Sequence, residues 1–100
     1  AMTNKLTEQQ VEDRLHDLNK GMKSPWGIIN GKLHKDFIFN DFIEAFGFMT
    51  KVAIIAQGMD HHPEWKNVFK KLHVDLTTHS VNGLSNLDFE LAEKMEALLG

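Results

Sequence analysis

The chain of 100 residues has the length of one ordinary domain, and its 42% hydrophobic and 25% charged residues are typical of a globular protein rather than a disordered segment. Its formal net charge of -3 at pH 7 argues against direct binding of nucleic acid through a basic surface. The sequence contains no cysteine, which excludes disulfides and thiolate metal ligands.

The N-terminal residues carry no apolar segment of the kind found in secretory signals. The longest apolar run, AFGFMTKVAIIA, is interrupted by Lys51 and is too short to span a bilayer. We therefore expect a cytoplasmic protein that does not contact a membrane and that forms one domain over residues 1–100. Residues 1–5 are expected to be a flexible N-terminus, with Ala1 as the remnant of a tag.

A first helix is predicted to begin after Thr7 and to stop near Gly21. The Thr7 side chain can cap the first turn, and Gln10, three residues on, completes the sequence of a capping box. Apolar residues then recur at helical spacing: Val11, Leu15 and Leu18.

Two strands follow, over Trp26–Ile29 and Leu33–Phe39, and Asn30-Gly31 separates them. Asn-Gly between two such runs is the strongest short signal for a hairpin, because both residues tolerate positive φ. The sequence therefore predicts two antiparallel strands joined by a tight turn.

A second, longer helix is predicted from a cap at Asn40 or Asp41 to about Met59. Its apolar residues at positions 42, 46, 49, 53 and 56 form one stripe, and further apolar residues extend around the helix. A helix that is apolar on more than one side is expected to be buried on more than one side. We therefore expect part of its surface to face another copy of the chain.

Two more strands, over Trp65–Phe69 and Leu72–Thr78, and a final helix complete the pattern. Ser85 can cap the final helix, and Asp88 occupies its capping-box position. The element order α-β-β-α-β-β-α then predicts an α+β fold of two layers, in which three helices cover one face of a four-stranded antiparallel sheet.

The adjacent His61 and His62 lie between the end of the second helix and a strand, and His79 closes the neighbouring strand if that strand runs on. The three imidazoles form a candidate site for general acid–base catalysis, because imidazole gives and takes protons near neutral pH. Zinc binding is the alternative, but adjacent residues diverge in direction and no HExxH-like spacing is present. The pattern favours proton transfer without a metal, and it names no substrate.

The runs AFGFMTKVA, DHHPEW, NVF, LTTH and GLS, followed by Asp88, closely resemble the pterin-4a-carbinolamine dehydratase family, also called 4a-hydroxytetrahydrobiopterin dehydratases. The resemblance extends from about Leu6 to the end of the chain. It implies a hydro-lyase that converts 4a-hydroxytetrahydrobiopterin to quinonoid dihydrobiopterin and water, in tetrahydrobiopterin recycling and without a cofactor. It also implies a homodimer or homotetramer.

Partners beyond the pterin are implied by the same resemblance. Aromatic amino acid hydroxylases supply the family's substrate, so such a hydroxylase is one partner to consider. Some animal members also act as a dimerisation cofactor of a homeodomain transcription factor, and a protein-interaction module is therefore the alternative function.

The resemblance also implies which residues form the site. His61, His62 and His79 correspond to the family's catalytic histidines. The substrate-binding positions are these three together with Asp60, Thr77, Thr78, Ser80 and, as a wall of the pocket, Trp65. We expect His61 and His79 to carry the proton transfers and His62 to orient the pterin.

Two positions near this site have separate expectations. The family often has Glu four residues before His61, but this chain has Gln57, which leaves the role of that carboxylate open. Asp88 is expected to act as a helix cap and not as a catalyst, so Asp88→Asn should lower the melting temperature while the pterin rate stays within about threefold.

Overall fold

The computed structural model of the protein describes residues 3–100, so the expected tag remnant Ala1 lies outside the described residues. Within this range, three helices and four strands follow the predicted order α-β-β-α-β-β-α, which confirms the α+β class. The elements are α1 (Glu8–Asn19), β1 (Gly27–Ile29), β2 (Lys32–Ile38), α2 (Phe42–Met59), β3 (Glu64–Val68), β4 (Lys71–Leu76) and α3 (Asn86–Leu98), with a 3-10 turn at His79–Val81 between the last two.

The four strands form one antiparallel sheet in the order β1-β2-β4-β3, so the two hairpins meet through β2 and β4 at the centre. Asn30 and Gly31 have φ values of 53° and 75°, which confirms the Asn-Gly hairpin turn. The second hairpin turns at Phe69 and Lys70, and Phe69 adopts a φ of 54° although it is not a glycine.

The core lies between one face of the sheet and the helices. Side chains alternate along each strand, so every second residue of the central strands reaches this core. The fully buried residues from the sheet are Leu33 of β2 with Leu72, Val74 and Leu76 of β4. Burying each such side chain contributes about 1.5–3 kcal/mol before the entropy cost of ordering it.

The face of α2 that packs on the core differs from the predicted stripe. Its buried residues are Ala45, Phe48, Val52 and Ala56. The predicted stripe is centred about 75° around the helix axis from these buried residues, and its Phe42 and Phe46 are exposed. Periodicity could not separate the two faces, because both are apolar and the alanines allow α2 to lie close to its neighbours.

The remaining surface of α2 is unusually apolar. Ile43 and Ile54 are 80% and 71% exposed. With its 18 residues, α2 is, within residues 3–100, the one helix whose length and composition would allow it to cross a membrane, a test that core helices of soluble proteins also pass. The expectation that this region is too short to do so was based on a shorter run and is wrong for the whole helix.

Local signals fix the ends of the helices. Thr7 and Gln10 form the predicted capping box of α1, and Ser85 and Asp88 form that of α3. Strand β4 ends at Leu76 and not at Thr78, because the chain turns there: Thr78 pairs with Gly83, and the 3-10 turn lies between them. His79 therefore leaves the sheet instead of continuing its outer face.

Candidate active site

A cavity of about 570 Å³ opens where three chain segments meet: the end of α2, the turn after β4 and the start of α3. This volume lies within the usual range for small-molecule sites. Among residues 3–100 it is lined by Thr3, Met59, Asp60, His61, His62, Thr77, Thr78, His79, Ser80 and Leu87. The structure thus brings together seven of the eight residues that the sequence placed at the site.

Trp65 is the exception and requires a correction. It does not line this cavity within the described chain. In the sheet it lies directly opposite Val74, which is buried on the helix-covered face, and its ring packs against the core. Strand alternation therefore turns Trp65 away from the pocket, a direction that its place beside the histidines in the sequence does not reveal.

The histidine pair is positioned by the way α2 ends. Asp60 adopts the left-handed conformation at φ 51° and ψ 41°, and its backbone N–H returns to the last turn of the helix. The next amide, that of His61, donates to the carbonyl of Ala56 over 3.0 Å. Pro63 disfavours helical geometry at His62 and completes the reversal of the chain. These local constraints place His61 inside the protein and His62 at its surface.

His61 is bonded to a residue that the sequence reasoning had kept apart from the site. Its Nε2 lies 2.7 Å from Oδ1 of Asp88, and both side chains are buried. The other oxygen of Asp88 accepts the Thr78 hydroxyl at 2.8 Å and the Ser85 amide at 3.0 Å. The capping role of Asp88 is confirmed, and the same carboxylate also contacts a site histidine, which the sequence did not indicate.

The bond also determines which nitrogen of a neutral His61 ring carries the proton. An ionised carboxylate only accepts hydrogen bonds, so Nε2 of His61 donates and its lone pair lies on Nδ1. The two residues are 27 positions apart, and the capping box is a sufficient local explanation for Asp88. The one sequence signal that could have revealed the contact was the place of Asp88 at the end of the family signature.

His62 is held by Gln57, one turn before the end of α2. Its Nε2 lies 2.9 Å from the amide oxygen Oε1 of Gln57. The position where the family often has an acidic residue therefore still supplies a hydrogen-bond acceptor to this ring, but without a negative charge.

His79 is held by Glu64, the first residue of β3. Its Nε2 lies 2.9 Å from Oε2 of Glu64, although the His79 side chain is 79% exposed. The second carboxylate oxygen of Glu64 accepts the ammonium of Lys32 at 2.5 Å. The hydrogen bond from Lys32, supported by the weaker one from His79, holds the pKa of Glu64 below its ordinary value. Glu64 was not singled out from the sequence.

Thr78, predicted to bind substrate, lines the cavity and uses its hydroxyl within the protein. The hydroxyl lies 2.7 Å from that of Ser85 and donates to Asp88, and the residue is only 4% exposed. The Thr78 hydroxyl therefore supports the Asp88 carboxylate.

The three site histidines share one arrangement. Each turns Nε2 to an oxygen of the protein, and within residues 3–100 none of their Nδ1 atoms has a protein partner. The acceptors differ in character: a buried carboxylate for His61, an amide for His62 and a half-exposed carboxylate for His79. Chemically, the site offers three imidazoles that can exchange protons through Nδ1. Two of them, His61 and His79, are bonded through Nε2 to a carboxylate.

Comparison with known proteins agrees with this geometry. The family model described as "Pterin 4 alpha carbinolamine dehydratase" matches residues 4–98. A Solibacter usitatus protein provisionally named pterin-4-alpha-carbinolamine dehydratase is 48% identical over 97 residues, which cover 97% of each chain. A Roseobacter denitrificans protein with the same provisional name is 46% identical over 101 residues, covering 99% of this chain and 100% of the other.

A solved structure shows the same fold. The crystal structure of a protein described as a transcriptional coactivator/pterin dehydratase, from Brucella melitensis, matches with a TM-score of 0.87 and 40% identity. The match covers 97% of this chain and 100% of that one. The chain therefore belongs to the pterin-4a-carbinolamine dehydratase family.

Proposed function

We propose that the protein is a pterin-4a-carbinolamine dehydratase, a hydro-lyase that removes water from a 4a-hydroxytetrahydropterin. Family membership supports the reaction class, and the relatives carry names of the same activity. The observation that carries the proposal is the set of three imidazoles around one cavity, each with Nε2 bonded to the protein and Nδ1 left for a substrate.

The reaction needs one proton donor and one proton acceptor. The hydroxyl at C4a gains a proton, and the C–O bond breaks with its electron pair leaving on water. N5 loses its proton, and its electrons form the double bond to C4a of the quinonoid dihydropterin. The proton gained and the proton lost balance, so the protein returns to its starting state once the acid and the base have exchanged protons with solvent, and no redox cofactor is needed.

His61 is suited to accept the N5 proton. Its Nδ1 carries the lone pair, and the buried Asp88 carboxylate stabilises the imidazolium that forms. Buried charge pairs of this kind interact strongly because water does not screen them. A positioned base typically contributes about 10²–10⁴-fold to the rate.

His79 is suited to protonate the leaving hydroxyl, because it is exposed and can be recharged from solvent. Its Nε2 is bonded to the Glu64 carboxylate. His62, whose acceptor Gln57 is uncharged, has less electrostatic support for carrying a proton, and we assign it to orienting the pterin.

Substitution of each histidine tests the proposal. His61→Ala and His79→Ala should each lower kcat by about 10²–10⁴-fold, whereas His62→Ala should mainly raise KM. His73→Ala is a matched control, because His73 is also bonded to a carboxylate, that of Asp36, on the outer face of the sheet. The substrate can be generated in situ by an aromatic amino acid hydroxylase and followed by pterin absorbance. Wild-type turnover by folded His61→Ala and His79→Ala variants would contradict the assignment.

The assembly is proposed from the surface of α2. We propose that a second copy covers the apolar residues Phe42, Ile43, Phe46 and Ile54, which the isolated chain leaves exposed. The same surface is what a protein partner would use, and the Brucella melitensis neighbour is described as a coactivator as well as a dehydratase. Binding to a transcription factor is therefore the second candidate function, and it would be supported by complex formation that persists in a His61→Ala variant lacking turnover.

A further inference from the structure

His79 presents a problem that His61 does not have. Its side chain is 79% exposed and stands on a 3-10 turn outside the sheet, so packing does little to hold the ring. An acid–base group must be held in a near-constant position to act efficiently, because misplacement of a reacting group by about 1 Å can cost about 10²-fold in rate. Among the described residues, the protein partner bonded to this ring is Glu64.

Glu64 is itself held from two sides. Its backbone is the first residue of β3 and lies opposite Asp75 of β4. Its carboxylate binds Lys32 of β2 through Oε1 and His79 through Oε2, so it spans the neighbouring strand β4 on the outer face of the sheet. The backbone and the carboxylate of Glu64 are therefore both anchored to the sheet.

We propose that Glu64 is a positioning residue for His79. Its carboxylate receives Nε2–H and so fixes the orientation of the ring, which leaves Nδ1 of His79 for the substrate. This inference rests on the proposed dehydratase function, because the role of His79 belongs to it. Glu64 does not line the cavity within the described residues, so it acts through the histidine and not on the pterin.

The test compares Glu64→Ala with Asp75→Ala. The two carboxylates lie opposite each other in the sheet, their side chains are 39% and 37% exposed, and each is bonded to a histidine. Asp75, however, binds His34, which is not at the cavity. Glu64→Ala should lower kcat about tenfold with KM changed less than about twofold, a part of the 10²–10⁴-fold expected of the acid itself. Asp75→Ala should leave both constants near wild type.

A second variant distinguishes loss of the contact to His79 from a general disturbance of the fold. Glu64→Gln keeps one acceptor oxygen, for which the Lys32 ammonium and His79 compete. Combined with Lys32→Met, which removes the competing donor, Glu64→Gln should restore kcat to within about threefold of wild type. In a His79→Ala background, Glu64→Ala should cause no further loss, because it acts through the missing ring. A Glu64→Ala loss no larger than that of Asp75→Ala, or no rescue by Glu64→Gln combined with Lys32→Met, would overturn the proposal.

Nitrogen NMR of the imidazoles distinguishes failure of this inference from failure of the proposed function. Glu64→Ala should move the Nε2 resonance of His79 and leave that of His61 unchanged. An unmoved His79 resonance would overturn the positioning role whatever the activity. If the His79 resonance moves in Glu64→Ala but the His79→Ala variant keeps a wild-type kcat, then Glu64 does hold the ring. In that case the assignment of His79 as the acid in the proposed function is wrong.

Discussion

Replacement of Asp88 by asparagine is the sharpest test of the site, because the sequence and the structure lead to different expectations. The carboxylate accepts three hydrogen bonds, from His61, Thr78 and Ser85. An asparagine side chain has one oxygen in place of two. If that oxygen keeps the Thr78 and Ser85 bonds of the cap, the new NH2 group faces Nε2 of His61.

The His61 ring must then change its tautomer. Facing a donor, its Nε2 has to accept, so the proton moves to Nδ1 and the lone pair that faced the cavity is lost. The substitution should lower kcat by about 10²–10⁴-fold, the amount that a general base contributes. The same inversion of a histidine tautomer by Asp→Asn underlies the large loss seen in serine protease triads.

The effect on stability should be moderate. The cap bonds remain, but the negative charge of Asp88 at the N-terminus of α3 is lost, and such a charge is worth about 0.3–1 kcal/mol, or up to about 2 kcal/mol where it is buried. For a domain of this size, each 1 kcal/mol lowers the melting temperature by about 4–8 °C. We therefore expect Asp88→Asn to melt several degrees below wild type, as the capping argument alone also predicts.

Ser85→Ala provides the matched control. It removes the hydroxyl that caps α3 and contacts Thr78, but leaves the Asp88–His61 bond in place. We expect a comparable loss of melting temperature with kcat reduced much less than in Asp88→Asn. Steady-state kinetics and calorimetry on both variants decide the question. If Asp88→Asn keeps its rate within about threefold of wild type, as expected for a pure cap, then the tautomer argument is refuted.

The remaining predictions concern assembly and stability. Ile54→Lys, at a position 71% exposed on α2, should shift the protein to a smaller assembly in light scattering, and an unchanged mass would contradict the proposed contact between copies. Hydrogen bonding from His73 holds the pKa of Asp36 below its ordinary value of 3.8, so its stabilising effect is present above that value and is lost as the pH falls through the lowered pKa. Asp36→Asn should therefore lower the free energy of unfolding by less than about 1 kcal/mol at about pH 6, and by less still at about pH 2.5. Urea denaturation at the two pH values measures both losses, and equal losses would contradict the prediction. Glu96→Ala should lower the free energy of unfolding by about 3–5 kcal/mol, because it leaves the 7% exposed Lys35 ammonium without its carboxylate. A decrease below about 1 kcal/mol in chemical denaturation would show that the ion pair is not needed for stability.

The features that the sequence predicted correctly are those whose information is local. A hairpin at Asn30-Gly31 and a capping box between Ser85 and Asp88 each depend on residues within three positions of one another. Their geometry is determined by backbone preference and short hydrogen bonds, which tertiary packing did not override. The family resemblance then added the substrate and the binding positions around the histidines, which spacing alone could not provide.

The features that the sequence did not reveal depend on choices made in three dimensions. Two adjacent faces of α2 are apolar, and only the packing of Ala45, Phe48 and Val52 shows which one meets the core. Trp65 was placed at the pocket because it is close in sequence to the histidines, whereas strand alternation turns it to the core. The bond between His61 and Asp88 joins residues 27 positions apart, and no local pattern indicates it.

The shared role of Asp88 has a consequence for the dynamics of the protein. The backbone amide of Ser85 is held by the same carboxylate that holds His61, so fraying of the first turn of α3 releases the histidine as well. The exchange of that amide hydrogen with solvent therefore measures how often the histidine loses its partner. A pterin analogue that occupies the cavity should slow this exchange more than that of amides at the far end of α3, which makes Ser85 a reporter of the assembled site in the intact protein.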